Sequence, residues 1–173
     1  MEFSCKTQYT QKTMTALARA VRKTMRVKRD RLLRLYSAAV ISLCLLCIWI
    51  SWGEDLWRIV LDILVVVLLL LVNWKQDALN GFFARRKAIP GMEYMESTFH
   101  PDCYEVRITG AVTQWQYDKV LALAETRGYF LLVLGKNHAQ AFDKSELEGG
   151  TPEQFRRFIQ EKTGQQIRNI GGA

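Results

Sequence analysis

The sequence predicts an α+β protein in which a two-helix transmembrane hairpin carries a soluble antiparallel sheet capped by a C-terminal helix. Three observations predict it. Two long apolar stretches are separated by only Gly53-Glu54-Asp55, the chain after Gly91 alternates apolar and polar residues, and a capped amphipathic helix begins at Thr151. Charge is segmented in the same way. Of the net +7 on 173 residues, residues 1–34 contribute +8, 35–74 contribute −2, 75–91 contribute +3 and 92–173 contribute −2. The basic excess thus lies on either side of the apolar block, which excludes a uniformly basic nucleic-acid-binding domain and an ordinary soluble globule.

Residues 1–34 read as a short edge strand followed by a basic helix. Glu2–Thr7 has strand character, and Phe3 and Tyr9 give it aromatic residues to bury. From Thr13 to Leu33, Met14, Leu17, Val21, Met25 and Leu32 recur at helical spacing, while Arg19, Arg22, Lys23, Arg26 and Arg29 fall on another face. The expectation is a basic amphipathic helix continuous with the first membrane helix, its cations drawn to an anionic lipid bilayer by about 1 kcal/mol each. No aromatic residue is interleaved to stack on a base, so RNA is not an expected partner. The first thirty residues contain no signal-peptide core.

The hairpin occupies residues 35–74, as 35–52 and 56–74. A hydrocarbon core about 30 Å thick requires roughly 17–25 helical residues, which both stretches supply. Trp49, Trp52, Trp57 and Trp74 lie near the ends, where indole rings favour the interface. The connecting turn lacks Lys and Arg, whereas Arg22 to Arg34 precede the first helix and Lys75, Arg85, Arg86 and Lys87 follow the second. The positive-inside rule then places both termini in the cytoplasm of a multi-pass protein. Arg58 and Asp62 lie one turn apart near the outer end of the second helix. They are expected to pair locally, with Asp62 facing Ser and Cys side chains of the first helix, because proton or ion pathways assemble more polar groups than this.

Residues 75–91 read as a helical connector with Leu79, Phe82 and Phe83 as its apolar content, a bend at Asn80-Gly81 and an end at Pro90-Gly91. It is expected to lie beside the basic helix, with Phe82 and Phe83 on the Met14/Leu17/Val21 face.

Within residues 92–173 the strands predicted are Glu93–Phe99, a second carrying Tyr104, Val106 and Ile108 on one face, Val112–Trp115, Val120–Ala124, the apolar run Tyr129–Leu134, and Ala139–Phe142. His100-Pro101-Asp102 is a turn. Thr151 and Gln154 form a capping box with Pro152 at the first helical position, and Phe155, Phe158 and Ile159 make an apolar stripe that Gly164 ends. Such a stripe can plug the open end of a curved sheet.

Tyr117-Asp118-Lys119-Val120, Glu125-Thr126, Tyr129-Phe130, Ala139, Asp143-Lys144 and Phe155, in this order after two membrane helices, resemble the YcxB-like family of bacterial membrane proteins. The resemblance is best between about Phe99 and Gly164. It implies a C-terminal pleckstrin-homology-like domain, a bacterial inner-membrane location and no catalytic residues.

Catalytic chemistry is not expected. His100 and His138 fall in turns without ligand partners, and Cys44 and Cys47 lie mid-membrane, so neither a metal nor a cofactor is called for. Cys5 and Cys103 belong to a reducing compartment. The first strand turn lacks the basic residues that inositol lipids require and the domain is net −2, which favours a protein partner bound at a sheet edge or groove. Trp115 is expected in the core and is otherwise the best partner anchor; Glu125 and Thr126 are expected to form a turn, with recognition the lesser alternative, and Asp143 and Lys144 to make a local ion pair. The reading is a membrane-anchored cytosolic scaffold or regulatory module with an unknown protein partner, with homo-oligomers open. Alternatives are an immunity-type protein that neutralises a membrane-acting toxin and a transport or channel accessory in which Asp62 matters.

Overall fold

A computed structural model describes residues 2–50, 56–87 and 93–171 of the chain. The predicted Trp52 anchor, the Gly53-Glu54-Asp55 turn and the helix end at Pro90-Gly91 lie outside these residues. The elements run β1 (Phe3–Gln8), α1 (Gln11–Thr24), α2 (Val27–Ile50), α3 (Leu56–Arg86), β2 (Tyr94–Phe99), β3 (Cys103–Ile108) and β4 (Ala111–Gln116). After a short 3₁₀ turn come β5 (Ala122–Glu125), β6 (Tyr129–Val133) and β7 (Ala139–Asp143), then β8 (Leu147–Glu148), α4 (Pro152–Thr163) and β9 (Ile167–Asn169).

The strands form a five-stranded sheet, β4-β3-β2-β1-β8, and a four-stranded sheet, β7-β6-β5-β9. The first is antiparallel throughout, with β3 and β4 joined by a Thr109-Gly110 turn whose Gly110 takes φ 83°, a conformation that costs a side-chain-bearing residue. The second is mixed, because α4 carries the chain back across the core and β9 then joins β5 in parallel. The expected N-terminal strand forms but is not an edge. It pairs with β2 over its whole length and with β8 at Ser4 and Cys5.

Alternating residues of both sheets meet in one core. Phe3, Cys5, Met95, Phe99, Tyr104 and Val106 of the first sheet face Leu123, Phe130, Leu132 and Phe142 of the second. The α4 stripe closes this core as predicted, and Phe155 is its hub. Its ring lies 4.8 Å from Phe99, 5.0 Å from Phe130 and 5.3 Å from Phe3 between centroids. Edge-on and tilted pairs of this kind add about 0.5–1.5 kcal/mol each beyond burial. The capping box is complete, with Thr151 and Gln154 each bonded to the other's backbone N–H and Gly164 left-handed at the C-terminus. Across the core Tyr104 donates to Gln140 Oε1 at 2.8 Å, which satisfies both buried groups.

The second sheet is apolar on its other face as well, where Ala124, Leu131, Val133 and Ala141 are buried. Helix α1 covers them with Thr13, Ala16, Leu17 and Ala20, spaced three and four apart. This differs from a helix lying on lipid and continuous with the first membrane helix. The chain breaks at Met25-Arg26, because α1 must follow the sheet while α2 leaves it.

Helices α2 and α3 are each long and apolar enough to cross a membrane. They pack on each other along a seam of less exposed residues, Ser37, Val40, Ile41, Cys44 and Cys47 against Ile59, Asp62, Val66, Leu69 and Asn73. The alternating three- and four-residue spacing on α3 is that of a coiled-coil face. Along their apolar spans they are otherwise bare, with Trp49, Trp57 and Trp74 each more than 70% exposed.

Candidate functional site

The helix that roofs the sheet also joins the domain to the hairpin. Gln11, Thr15, Arg19 and Arg22 occupy a second face of α1, against α3. Gln11 Nε2 donates to the Ala78 carbonyl at 3.1 Å, and Thr15 sits so close to Gly81 that a Cβ there would lie 2.8 Å from the Thr15 nitrogen. Gly81 is therefore a contact surface within an unbroken helix, not a bend. Phe82 and Phe83 point away from α1 and remain 45% and 56% exposed, in contrast to the expected packing, because the apolar α1 face is already occupied by the sheet.

At the far end of this contact Arg22 bridges two acids. It reaches Asp77 of α3 at 2.6 Å and Asp30 of α2 at 3.0 Å, while Arg19 adds a 3.1 Å contact to Asp77 and Arg34 one to Asp30. Lys23 donates to the Ile170 carbonyl at 2.8 Å, and Arg26 to the Lys136 carbonyl at 2.9 Å. Of the cations expected at a membrane surface, Arg19 and Arg22 thus tie α1 to the hairpin, and Lys23 and Arg26 bond to the sheet domain. The reason is that they rim an interface rich in carboxylate and carbonyl acceptors. Arg29, Arg85, Arg86 and Lys87 are exposed beside the hairpin, and Arg86 rests over the Phe82 ring at 5.2 Å.

Glu125 and Thr126 make contacts within the fold. Glu125 receives Lys144 Nζ at 2.6 Å and a two-pronged contact from Arg156 at 2.9 and 2.7 Å. The Arg156 hydrogen bonds lower its carboxyl below the ordinary value despite opposing burial, and Lys144 adds to the effect. Lys144 also donates to the Thr126 carbonyl and lies 4.6 Å over the Phe130 ring. The expected Asp143–Lys144 pair is replaced by this cluster, and Asp143 instead accepts from the Ser145 backbone and hydroxyl. Thr126 closes the turn before β6 by accepting from Tyr129 N at 3.1 Å. The spacing of an acid on β5 from a base on α4 carries no local sequence signal, so this triad was not legible in advance.

Trp115 sits on β4 opposite Tyr104, partly buried and packed against the core, its ring 5.1 Å from that of His138. Burial lowers the His138 pKa below its ordinary value. Beside Trp115 a shallow groove of about 440 Å³ is lined by Asp102, Cys103, Gln114, Gln116 and Lys119. The rest of β4 is open, with Val112 56% exposed. This strand is the outer edge of its sheet.

In the hairpin, Asp62 Oδ2 is buried without a hydrogen-bond partner in the seam beside α2. Among the described residues no Arg58–Asp62 ion pair forms, which departs from the expected local pairing; Arg58 finds other contacts. No group of three His, Cys, Asp or Glu side chains that could hold a metal ion occurs among the described residues.

The fold thus defines an α+β chain with two helices suited to a membrane, a roofed two-sheet domain and one open strand edge. Compared with known protein families, curated proteins and solved structures, it matches none.

Proposed function

We propose that the chain is a membrane-anchored protein-interaction module of the scaffold or regulatory kind, without catalytic activity, at the cytoplasmic face of a bacterial inner membrane. The observation that carries this reading is the double use of α1, which roofs the second sheet on one face and packs on α3 with the other. A domain fixed in this way to a hairpin is held at one height above a bilayer. The exposed Trp49, Trp57 and Trp74 and the basic Arg29, Arg85, Arg86 and Lys87 support a two-pass anchor with both termini cytoplasmic, in contact with anionic lipid. Two antiparallel meanders closed by a C-terminal helix support a pleckstrin-homology-like domain, and with the quoted motifs they support the resemblance to the YcxB-like family.

The test has two parts. Alkaline extraction of membranes should leave the chain in the pellet, and release into the supernatant would remove the anchor. A photo-reactive residue at Gln114, on the open strand, should give covalent protein adducts in intact cells, whereas the same residue at exposed Glu161 on α4 should not. Absence of adducts from both positions counts against the reading.

A further inference from the structure

Each other free edge of the two sheets is short or covered. The outer edge of β7 faces β1 and Tyr9, the residue after it, whose side chains take up its backbone groups: Asp143 N donates to Thr7 Oγ1 at 3.1 Å, Ala141 N to Tyr9 Oη at 3.5 Å, and Cys5 Sγ to the Asp143 carbonyl at 3.2 Å. The edge strand β8 is two residues long and carries Glu148, and β9 is three residues long and carries Arg168. By contrast β4 is six residues, Ala111-Val112-Thr113-Gln114-Trp115-Gln116, with no charge, proline or glycine, and is paired only with β3. Charges, prolines and short lengths are the devices by which edges avoid pairing. Their absence from this one edge, in a molecule that protects the others, marks a strand whose pairing is used.

Resting on the reading of the chain as an interaction module, we infer that the occupant of this edge is a second copy of the chain, β4 against β4 in antiparallel register. A two-fold axis normal to the sheet requires paired residues of equal parity, so two registers, centred on Thr113 and on Gln114, each use five of the six residues, and the first is taken because it sets Thr against Thr. Thr113 then faces its own equivalent, Ala111 faces Trp115 and Val112 faces Gln114. A Thr–Thr pair is favourable across antiparallel strands, and an uncharged strand brings no like charges together when it meets itself. The sheet would extend from five strands to ten. An edge pair alone buries far less than the roughly 1,600 Å² of a standard interface. Confinement of both copies to one bilayer at one height supplies the missing concentration.

The experiment is a cysteine scan along β4 in isolated membranes, in a chain carrying Cys44→Ala, Cys47→Ala and Cys103→Ser, with a mild oxidant. Thr113→Cys should give the strongest disulfide-linked dimer, about tenfold above Val112→Cys, since cross-strand neighbours displaced by two residues exceed disulfide reach. A maximum at Gln114→Cys is the alternative two-fold register and also supports self-pairing. A flat profile, or a maximum at any other position, overturns it. If the profile is flat while a photo-reactive residue at Gln114 captures a different protein, self-pairing is lost and the interaction module stands. If neither forms, both are lost.

Discussion

Arg22 grips Asp77 through two parallel hydrogen bonds, Nε to Oδ1 at 2.6 Å and Nη2 to Oδ2 at 2.8 Å, and gives its remaining Nη1 to Asp30 at 3.0 Å. Arg22 and Asp77 side chains are 13% and 12% exposed, so removing the cation leaves Asp77 with Arg19 alone and Asp30 with Arg34 alone in a poorly hydrated joint. Arg22→Met is expected to cost about 3 kcal/mol, the order of magnitude for breaking a buried pair. Arg22→Lys should recover only part of this, since an ammonium cannot make the forked contact. Thermal unfolding of the detergent-solubilised protein measures both. Equal stability of Arg22→Met and wild type would show that the joint does not hold the domain.

The close approach of α1 and α3 depends on Gly81. Gly81→Ala should destabilise by about 2 kcal/mol, a typical cost of overpacking, and loosen amide protection along α1. The nearest atom to the added Cβ is the Thr15 backbone nitrogen at 2.8 Å, with the Thr15 hydroxyl at 2.9 Å. Adding Thr15→Ala therefore should not restore stability, because the main chain still blocks the methyl group. Full rescue in the double variant would mean that side-chain crowding alone sets the contact.

Glu125 yields a pH prediction. Its carboxyl titrates below the ordinary value in the folded chain because Arg156 and then Lys144 hydrogen-bond to the ionised form, against the effect of burial. A depressed folded pKa contributes stability above the unfolded pKa, near 4.3, that is lost as pH falls through the folded value. Wild type should therefore lose more stability than Glu125→Gln between pH 5 and the acid limit of folding, judged by urea midpoints. At neutral pH Glu125→Gln should be the less stable chain, while a photo-reactive residue at Gln114 should capture the same adducts in either. Loss of the adducts with the fold intact would return Glu125 to the recognition surface.

Most of the domain was legible because its signals are local. Thr151-Pro152-Glu153-Gln154 states a helix start, Tyr104, Val106 and Ile108 state a strand face, and His100-Pro101-Asp102 states a turn. Non-local partners were not legible. Arg22 and Asp77 are 55 residues apart and Glu125 and Arg156 are 31 apart, so no spacing rule connects them. One signal is local and still points beyond its own strand. The run Phe130-Leu131-Leu132-Val133 does not alternate, and its four residues are all buried, which a strand achieves only when both faces are covered. That run required a roof, and the amphipathic face of α1 had the matching small residues Ala16 and Ala20. The basic stripe beside that face is the stronger local signal, and by itself it points to lipid.

Cys5 gives a chemical check on β1 as an interior strand. Its thiol is 2% exposed by residue, and burial, partly offset by contacts with Thr7 and the Asp143 carbonyl, pushes its pKa up to about 11. A thiol of this kind carries little thiolate at pH 8 and reacts slowly. In a chain with Cys44→Ala, Cys47→Ala and Cys103→Ser, Cys5 should resist maleimide in the folded protein and react at once in urea. Rapid labelling of the folded chain would place β1 at an exposed edge.

Asp62 separates a structural hairpin from a conducting one. Its Oδ2 is buried in the α2–α3 seam without a partner, between Ile59 and Val66 in the same register. An unsatisfied buried polar atom costs about 1–3 kcal/mol, and replacing it with an apolar group of similar shape removes that cost. Asp62→Leu should therefore raise the unfolding temperature of the detergent-solubilised hairpin and leave the dimer yield of Thr113→Cys unchanged, because the strand edge lies in the other half of the molecule. The opposite result, a less stable chain or one whose function is lost while Thr113→Cys still cross-links, would assign Asp62 a role within the membrane and favour the transport or channel accessory over the scaffold.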